Sequence, residues 1–177
     1  MSKLIGVFTV LLLVFLAAGC AGGGGPSAST SPEGSGGRSG YDDITSFVFA
    51  YGVRARNVLD TTAGTFTNDM IGDPPVTVDL TLTPEEFARM VEEMERIGLL
   101  AYPAKYAPRG GGVMTPHMTY RFELMIDGST RTLVWNDDRD ASDPYAMRLR
   151  ELVKFIREIV EAKPEYKRQP EPNGGYL

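Results

Sequence analysis

Cysteine and histidine are almost missing from this chain of 177 residues, which contains one of each, Cys20 and His117. A single cysteine allows no disulfide within the chain. A single histidine excludes a metal site with two histidine ligands. As a catalytic base, His117 would also need a nucleophile and an orienting group nearby. We therefore expect His117 to be a surface or packing residue.

Basic residues are outnumbered by acidic ones: 18 Lys and Arg against 23 Asp and Glu give a formal charge of -5. The charges are scattered along the chain. This balance argues against nucleic-acid binding and against a purely electrostatic attachment to anionic lipid. No serine lies in a Gly-x-Ser-x-Gly motif. We predict no cofactor and no catalytic residue.

What the chain does have is a secretory signal at its start. Lys3 gives a short positive beginning, residues 4–16 form a nearly unbroken apolar run, and small side chains lead up to Cys20. A permanent transmembrane helix needs about 20 apolar residues, and this run of 13 is shorter. The pattern predicts a segment that is cleaved off after export.

The end of this signal, Leu16-Ala17-Ala18-Gly19-Cys20, resembles the lipobox of bacterial lipoproteins, which usually has Leu at the place of Ala17. The resemblance implies cleavage before Cys20, a diacylglycerol on its thiol and acylation of the new N-terminus. Several acyl chains anchor a protein stably. We therefore expect attachment to the extracytoplasmic face of the cell membrane. An ordinary secretory signal with a chance cysteine and an uncleaved anchor are the alternatives.

Three regions follow from this reading. Residues 1–19 are the lipoprotein signal peptide, and residues 20–40 are the lipidated Cys20 with a tether rich in Gly and Ser. The tether contains almost nothing that could form a core, so we expect it to be a flexible chain. Residues 41–177 have the length of a single domain.

Alternating apolar residues predict the first half of that domain. Strands are expected over residues 45–54, 64–67 and 76–83. A helix should begin at Thr83 and Pro84 with a capping box and end near Gly98. Its predicted surface ion pairs are Glu85 with Arg89 and Glu92 with Arg96.

The second half of the domain begins with a loop over residues 102–116. Strands over 120–126 and 131–135 should form a hairpin, because Asp127-Gly128 is a two-residue turn signal. Asp143 should cap a second helix. Its predicted apolar stripe consists of Tyr145, Leu149, Leu152, Val153, Ile156, Ile159 and Val160. The order β-β-β-α-β-β-α predicts an α+β fold with two layers, an antiparallel sheet of about five strands covered by two helices.

One acidic cluster is a weak candidate metal site. Asp138, Asp140 and Ser142 have the alternate spacing of a calcium-binding loop. However, Asp143 stands where the loop needs glycine, and Leu149 stands where the bidentate glutamate should be. A loop between a strand and a helix, with Asp143 as N-cap, explains the same residues.

Several short motifs together resemble a group of uncharacterised lipoproteins of Gram-positive bacteria, over about residues 47–176. These motifs are Arg56-Asn57, Gly64-Thr65-Phe66-Thr67, Asp73-Pro74-Pro75, Leu82-Thr83-Pro84-Glu85-Glu86, Tyr102-Pro103, Trp135-Asn136-Asp137 and Asn173-Gly174-Gly175-Tyr176. The resemblance implies a domain of the cell envelope tethered to the membrane, and it assigns no catalytic residue.

The leading hypothesis is a non-catalytic module that binds an envelope protein or another ligand. One alternative is an envelope hydrolase with an unrecognised acidic site, for which Asp69, Asp137, Asp138 and Asp140 are the candidates. Another is a small protein resembling protease inhibitors, which would present a rigid, exposed loop at residues 108–116. The aromatic tail that contains Tyr166 and Tyr176 is expected to pack on the sheet, with a peptide-like epitope as the alternative.

Overall fold

The computed structural model describes residues 40–139 and 142–176, and in this part of the chain seven strands form one sheet. The strand order is β4-β3-β2-β1-β6-β7-β5, and every neighbouring pair is antiparallel except β5 with β7. The strands are β1 (Ile44–Tyr51), β2 (Asn57–Asp60), β3 (Thr65–Asn68), β4 (Val76–Asp79), β5 (Lys105–Tyr106), β6 (Val113–Ile126) and β7 (Ser129–Arg139).

Helices α1 (Pro84–Ile97) and α2 (Pro144–Ala162) begin where the capping residues predicted. Thr83 and Glu86 form the reciprocal capping box of α1, and Gly98 ends that helix in the left-handed region. The Asp143 carboxylate caps α2. A short helix α3 (Pro164–Lys167) follows immediately, because Pro164 cannot continue α2.

The core lies between one face of the sheet and the two long helices. Phe87 of α1 stacks on Phe47 of β1 with ring centroids 5.6 Å apart. The Arg157 guanidinium of α2 lies 5.5 Å from the centre of the Tyr51 ring. Since side chains alternate along a strand, the other face carries the intervening residues, many of them threonines.

The α+β class and the antiparallel character of the sheet are confirmed, but the expected number of about five strands is wrong. β2 is only four residues long and follows a turn, so it shows too little alternation to be recognised. β5 has two residues, and it lies inside the segment predicted as a loop. β6 begins at Val113, seven residues before the predicted start.

The predicted hairpin is confirmed in detail. Asp127 and Gly128 both have positive φ, 47° and 73°, as a two-residue turn of this kind requires. The register places Leu133 opposite Phe122 and Trp135 opposite Tyr120. Both pairs lie on the core side of the sheet.

Three details of the helices differ from expectation. Among the described residues Arg89 forms no ion pair with Glu85, and its guanidinium lies 5.4 Å from the centre of the Phe155 ring. Arg96 pairs with Glu93, three residues earlier, and with Glu151 of α2, rather than with Glu92. Tyr145 was expected in the buried stripe of α2 but is 57% exposed, whereas the other six residues of that stripe are buried. In the first turn of α2 it is the next residue, Ala146, that is fully buried, so Tyr145 lies to the side of the face that meets the core.

The C-terminal tail packs on the domain. The Tyr166 ring of α3 lies 5.5 Å from Phe66 of β3. The Tyr176 hydroxyl donates a hydrogen bond to the Asp69 carboxylate, which is 7% exposed and also lies 3.7 Å from Arg56. These contacts join the tail to the end of β3.

The Glu86 carboxylate is also bonded to Lys163 at the end of α2, with an Nζ to Oε2 distance of 2.6 Å. Desolvation opposes ionisation of Glu86, but the bonds from Lys163 and from the Thr83 backbone outweigh it and lower the pKa of Glu86. A lowered pKa in the folded state stabilises the fold above the ordinary value of 4.5, and this contribution disappears as the pH falls through the folded value.

Candidate functional site

A pocket of about 690 Å³ lies between the end of α1, the segment after it and the first turn of α2. Three tyrosines and three cationic side chains dominate its walls, and no carboxylate lines it. We call it the tyrosine pocket; the six residues are Tyr102, Tyr106, Tyr145, Lys105, Arg109 and Arg148.

The segment that forms one wall of the pocket is held against the sheet by backbone contacts. Gly98, with φ of 71°, ends α1 and turns the chain into a 3-10 turn at Leu99–Ala101. The Val134 amide donates to the Ala104 carbonyl over 2.8 Å, and β5 then pairs with β7. The Arg131 guanidinium donates to the carbonyl oxygens of Leu100 and Tyr102. The wall is therefore an ordered part of the sheet edge.

Tyr102 connects the two walls. Its hydroxyl donates to the Tyr145 carbonyl over 3.0 Å. Its ring makes edge-to-face contacts with Tyr106 at 5.4 Å and with Tyr145 at 5.8 Å, an arrangement that aromatic quadrupoles favour. Tyr102 is 5% exposed and Tyr145 is 57% exposed. Tyr102 is thus a fixed interior residue, while Tyr145 offers an open ring at the rim.

The Tyr106 hydroxyl is buried and has no hydrogen-bond partner among the described residues. Burial, together with the neighbouring Asp143 carboxylate, raises the pKa of Tyr106, so the hydroxyl stays protonated at neutral pH.

Asp143 lies beside the pocket, where its carboxylate caps the N-terminus of α2. Its carboxylate accepts hydrogen bonds from the backbone amides of Tyr145, over 2.8 Å, and Ala146, over 3.4 Å. Desolvation acts to raise the pKa of Asp143, and these bonds overcome it and lower the value. An ionised carboxylate is favoured at a helix N-terminus.

The three cations of the pocket are exposed, and in the described part of the chain none of them forms an ion pair. The Arg148 guanidinium lies 5.8 Å from the centre of the Tyr145 ring. Three positive charges without ion-pair partners therefore surround an aromatic surface in a protein whose net charge is -5. This combination suits an anion that also carries a ring or another flat face.

The carboxylates considered for hydrolysis are engaged elsewhere. Asp137 forms a bidentate ion pair with Arg150, with distances of 2.6 and 3.0 Å. Asp69 is bonded by Tyr176, and Asp138 lies 3.9 Å from Arg139. Asp140 lies outside the described residues. None of the three that are described lines the tyrosine pocket.

The other predicted sites are the metal cluster, His117, the loop considered for protease inhibition and the lipidated Cys20. Over residues 40–139 and 142–176, no three His, Cys, Asp or Glu side chains converge as metal ligands would. His117 is half-buried in β6. Residues 113–116 of the segment considered for protease inhibition are part of β6. Cys20, the signal peptide and most of the tether precede the first described residue.

Comparisons of the chain with protein families, with curated proteins and with solved structures found no match. Among the helices of the described part, none combines the length and the apolar character needed to span a membrane.

Sequence reasoning missed the tyrosine pocket because its residues come from two separate segments. Residues 102–109 and the first turn of α2 are about 40 positions apart, and only the fold brings them together. A local signal was nevertheless present: Tyr102, Lys105, Tyr106 and Arg109 interleave aromatic and cationic side chains within eight residues.

Proposed function

We propose that this protein is a non-catalytic binding module, anchored to the outer face of the cell membrane through lipidated Cys20, that holds an anionic ligand in the tyrosine pocket. The anchor is inferred from residues 1–20, where an apolar run ends in a lipobox-like sequence. The tether keeps the domain close to the membrane while allowing it to reach a ligand in the envelope.

The ligand class is inferred from the charged side chains that line the pocket. In a chain of net charge -5, this pocket has three cationic side chains without ion-pair partners and no carboxylate among its lining residues. A carboxylate or phosphate group would interact with Arg109 and Arg148, and a sugar or aromatic ring attached to it would lie against Tyr145.

A binding role is favoured over hydrolysis by the state of the acidic residues. Hydrolysis by an acidic site, the alternative considered from the sequence, needs two carboxylates facing one cleft, one of them with a raised pKa. Asp69 and Asp137 instead hold Tyr176 and Arg150 in place. The pocket itself provides cations, hydroxyl groups and rings, which bind an anion without cleaving it.

The ligand class can be tested by titrating the protein with glucose 6-phosphate, glucuronic acid and glucose, which share a ring and differ in charge. We expect the two anionic sugars to shift the NMR signals of Tyr106 and Arg148 at lower concentration than glucose does. Replacing Arg148 with Gln should weaken anion binding about tenfold, the equivalent of about 1.4 kcal/mol.

Lys154→Gln is the matched control, because Lys154 is also an exposed cation of α2 but does not line the pocket. That variant should bind as the parent does. Equal affinity for glucose and for the two anions, or an unchanged affinity in Arg148→Gln, would contradict the proposed ligand class.

The anchor is tested by fractionation of a bacterium that processes lipoproteins. The parent chain should remain in washed membranes and lack residues 1–19. Cys20→Ser should keep residues 1–19, because the thiol that receives the lipid is gone, and Ala21→Ser should behave as the parent does. If Cys20→Ser were found firmly in washed membranes without residues 1–19, the anchor would not be at Cys20.

A further inference from the structure

β4 is the edge strand of the sheet, and its outer side has no neighbouring strand. Which of its backbone groups point outward follows from its register with β3. The Leu80 amide donates to the Gly64 carbonyl over 2.8 Å, so Leu80 and Gly64 form a hydrogen-bonded pair. Such pairs alternate along an antiparallel ladder. Val76 and Val78 therefore face β3, while the amide and carbonyl groups of Thr77 and Asp79 face away from it.

A side-chain contact supports this assignment. Thr67 and Thr77 lie opposite each other, and their hydroxyl oxygens are 2.8 Å apart. Side chains approach closely in the non-hydrogen-bonded pairs of an antiparallel ladder. Thr77 therefore uses neither its amide nor its carbonyl to bond β3, and both Thr77 and Asp79 are exposed.

The outer side of β4 forms one wall of a groove of about 630 Å³. The other wall comes from residues 165–170 of α3 and the tail. Gln169 belongs to this wall, and both polar atoms of its side-chain amide are buried without a hydrogen-bond partner. A primary amide offers one acceptor and two donors, which match the carbonyl and the amide of a peptide backbone.

We propose that this groove binds an extended peptide segment of a partner protein, which pairs with Thr77 and Asp79 as an eighth strand and bonds the Gln169 amide. Four outward backbone groups and one unpaired side-chain amide supply the hydrogen bonds. An added strand is a common mode of peptide recognition at open sheet edges.

The charges of the groove define the peptide further. The residue opposite Asp79 has its side chain on the same face of the sheet as the Asp79 carboxylate. Glu165 and Arg168, which also line the groove, lie 3.7 Å apart as an ion pair, whereas Asp79 is exposed and has no ion-pair partner among the described residues. A lysine or arginine therefore belongs at that position. The next residue of the peptide points to the other face, where Val78 and Pro170 line the groove, so it should be apolar.

The probe is a six-residue peptide that alternates lysine and valine and is blocked at both ends. We expect binding to slow the amide hydrogen exchange of Thr77 and Asp79 in the full domain. A peptide that alternates glutamate and valine should bind at least about tenfold more weakly.

Backbone methylation tests the geometry directly. In a peptide that pairs antiparallel to β4, the backbone nitrogens of the lysines opposite Thr77 and Asp79 face β4, so methylating them removes these donors and should abolish binding. Methylating the valine nitrogens instead alters groups that face away from β4, and that peptide should still bind β4. Equal binding of the two methylated peptides, or exchange changes at Tyr102 and Tyr106 rather than at Thr77 and Asp79, would overturn the proposal.

Two variants complete the test. Asp79→Asn and Gln169→Leu should each weaken binding several-fold, whereas Glu123→Gln, a carboxylate on the same face but away from the edge, should not. Because the side-chain amide of Gln169 makes no hydrogen bond within the described chain, Gln169→Leu should leave thermal stability equal or higher. A purely structural role of Gln169 would give the opposite result, lower stability with unchanged peptide affinity.

Discussion

Replacing Phe49 with alanine is expected to lower the free energy of unfolding by about 3–5 kcal/mol, the range typical of a buried Phe to Ala change. Phe49 is fully buried in the central strand β1. Its ring stacks on Phe122 of β6 at 4.6 Å and on Tyr51 at 5.2 Å. The substitution removes both ring contacts and leaves a cavity that these flanking rings cannot fill. Urea denaturation measures the loss.

Val48→Ala is the matched control, since Val48 is the neighbour of Phe49 in β1 and points to the opposite face of the sheet. Val48 is only half-buried, so we expect a cost of about 1 kcal/mol. Similar costs for the two variants would mean that the helices do not cover the face that carries Phe49.

Replacing Gly52 with alanine is expected to cost about 3 kcal/mol, from backbone strain and disturbed hydrogen bonds together. Gly52 follows β1 with φ of 95° and ψ of -171°, a region that is almost restricted to glycine. An added Cβ would lie 2.6 Å from the Asn57 side-chain nitrogen. Asn57 cannot easily move away, because it donates to the Tyr51 carbonyl and accepts from the Asp69 amide.

Two further variants separate the cost of backbone strain from the cost of the clash with Asn57. Gly98→Ala also places alanine at a positive φ, but nothing lies within 4 Å of the added Cβ, so its cost should be only about 1 kcal/mol. In Gly52→Ala with Asn57→Ala the clash is absent, and the combined cost should be smaller than the sum of the two single costs. Strict additivity would show that Asn57 is not the obstacle.

The parts of the fold that sequence patterns predicted are those determined by neighbours along the chain. Thr83 with Glu86 and Asp127 with Gly128 act within four residues, so their residue types alone define a helix start and a turn. The alternation of apolar and polar residues along β6 likewise identified the buried side of the hairpin.

The features that were missed depend on residues far apart in the chain. β5 exists because Lys105 and Tyr106 meet β7, and two residues carry no periodic signal of their own. Tyr145 fits the helical spacing of the buried stripe, but in the first turn of α2 the buried position is taken by Ala146. The tyrosine pocket and the β4 groove each combine two distant segments, so neither could be assembled from periodicity.

The topology of the central strands also has a consequence for the order of folding. β6 and β7 are joined by two residues, so closing that hairpin costs little chain entropy. β1 lies in the middle of the sheet, yet Phe47 pairs with Leu124, 77 positions further along the chain. Contacts of such long range form late and slow the overall rate. β1 therefore precedes β6 during synthesis, and Phe49 lacks its Phe122 partner until the hairpin has been made.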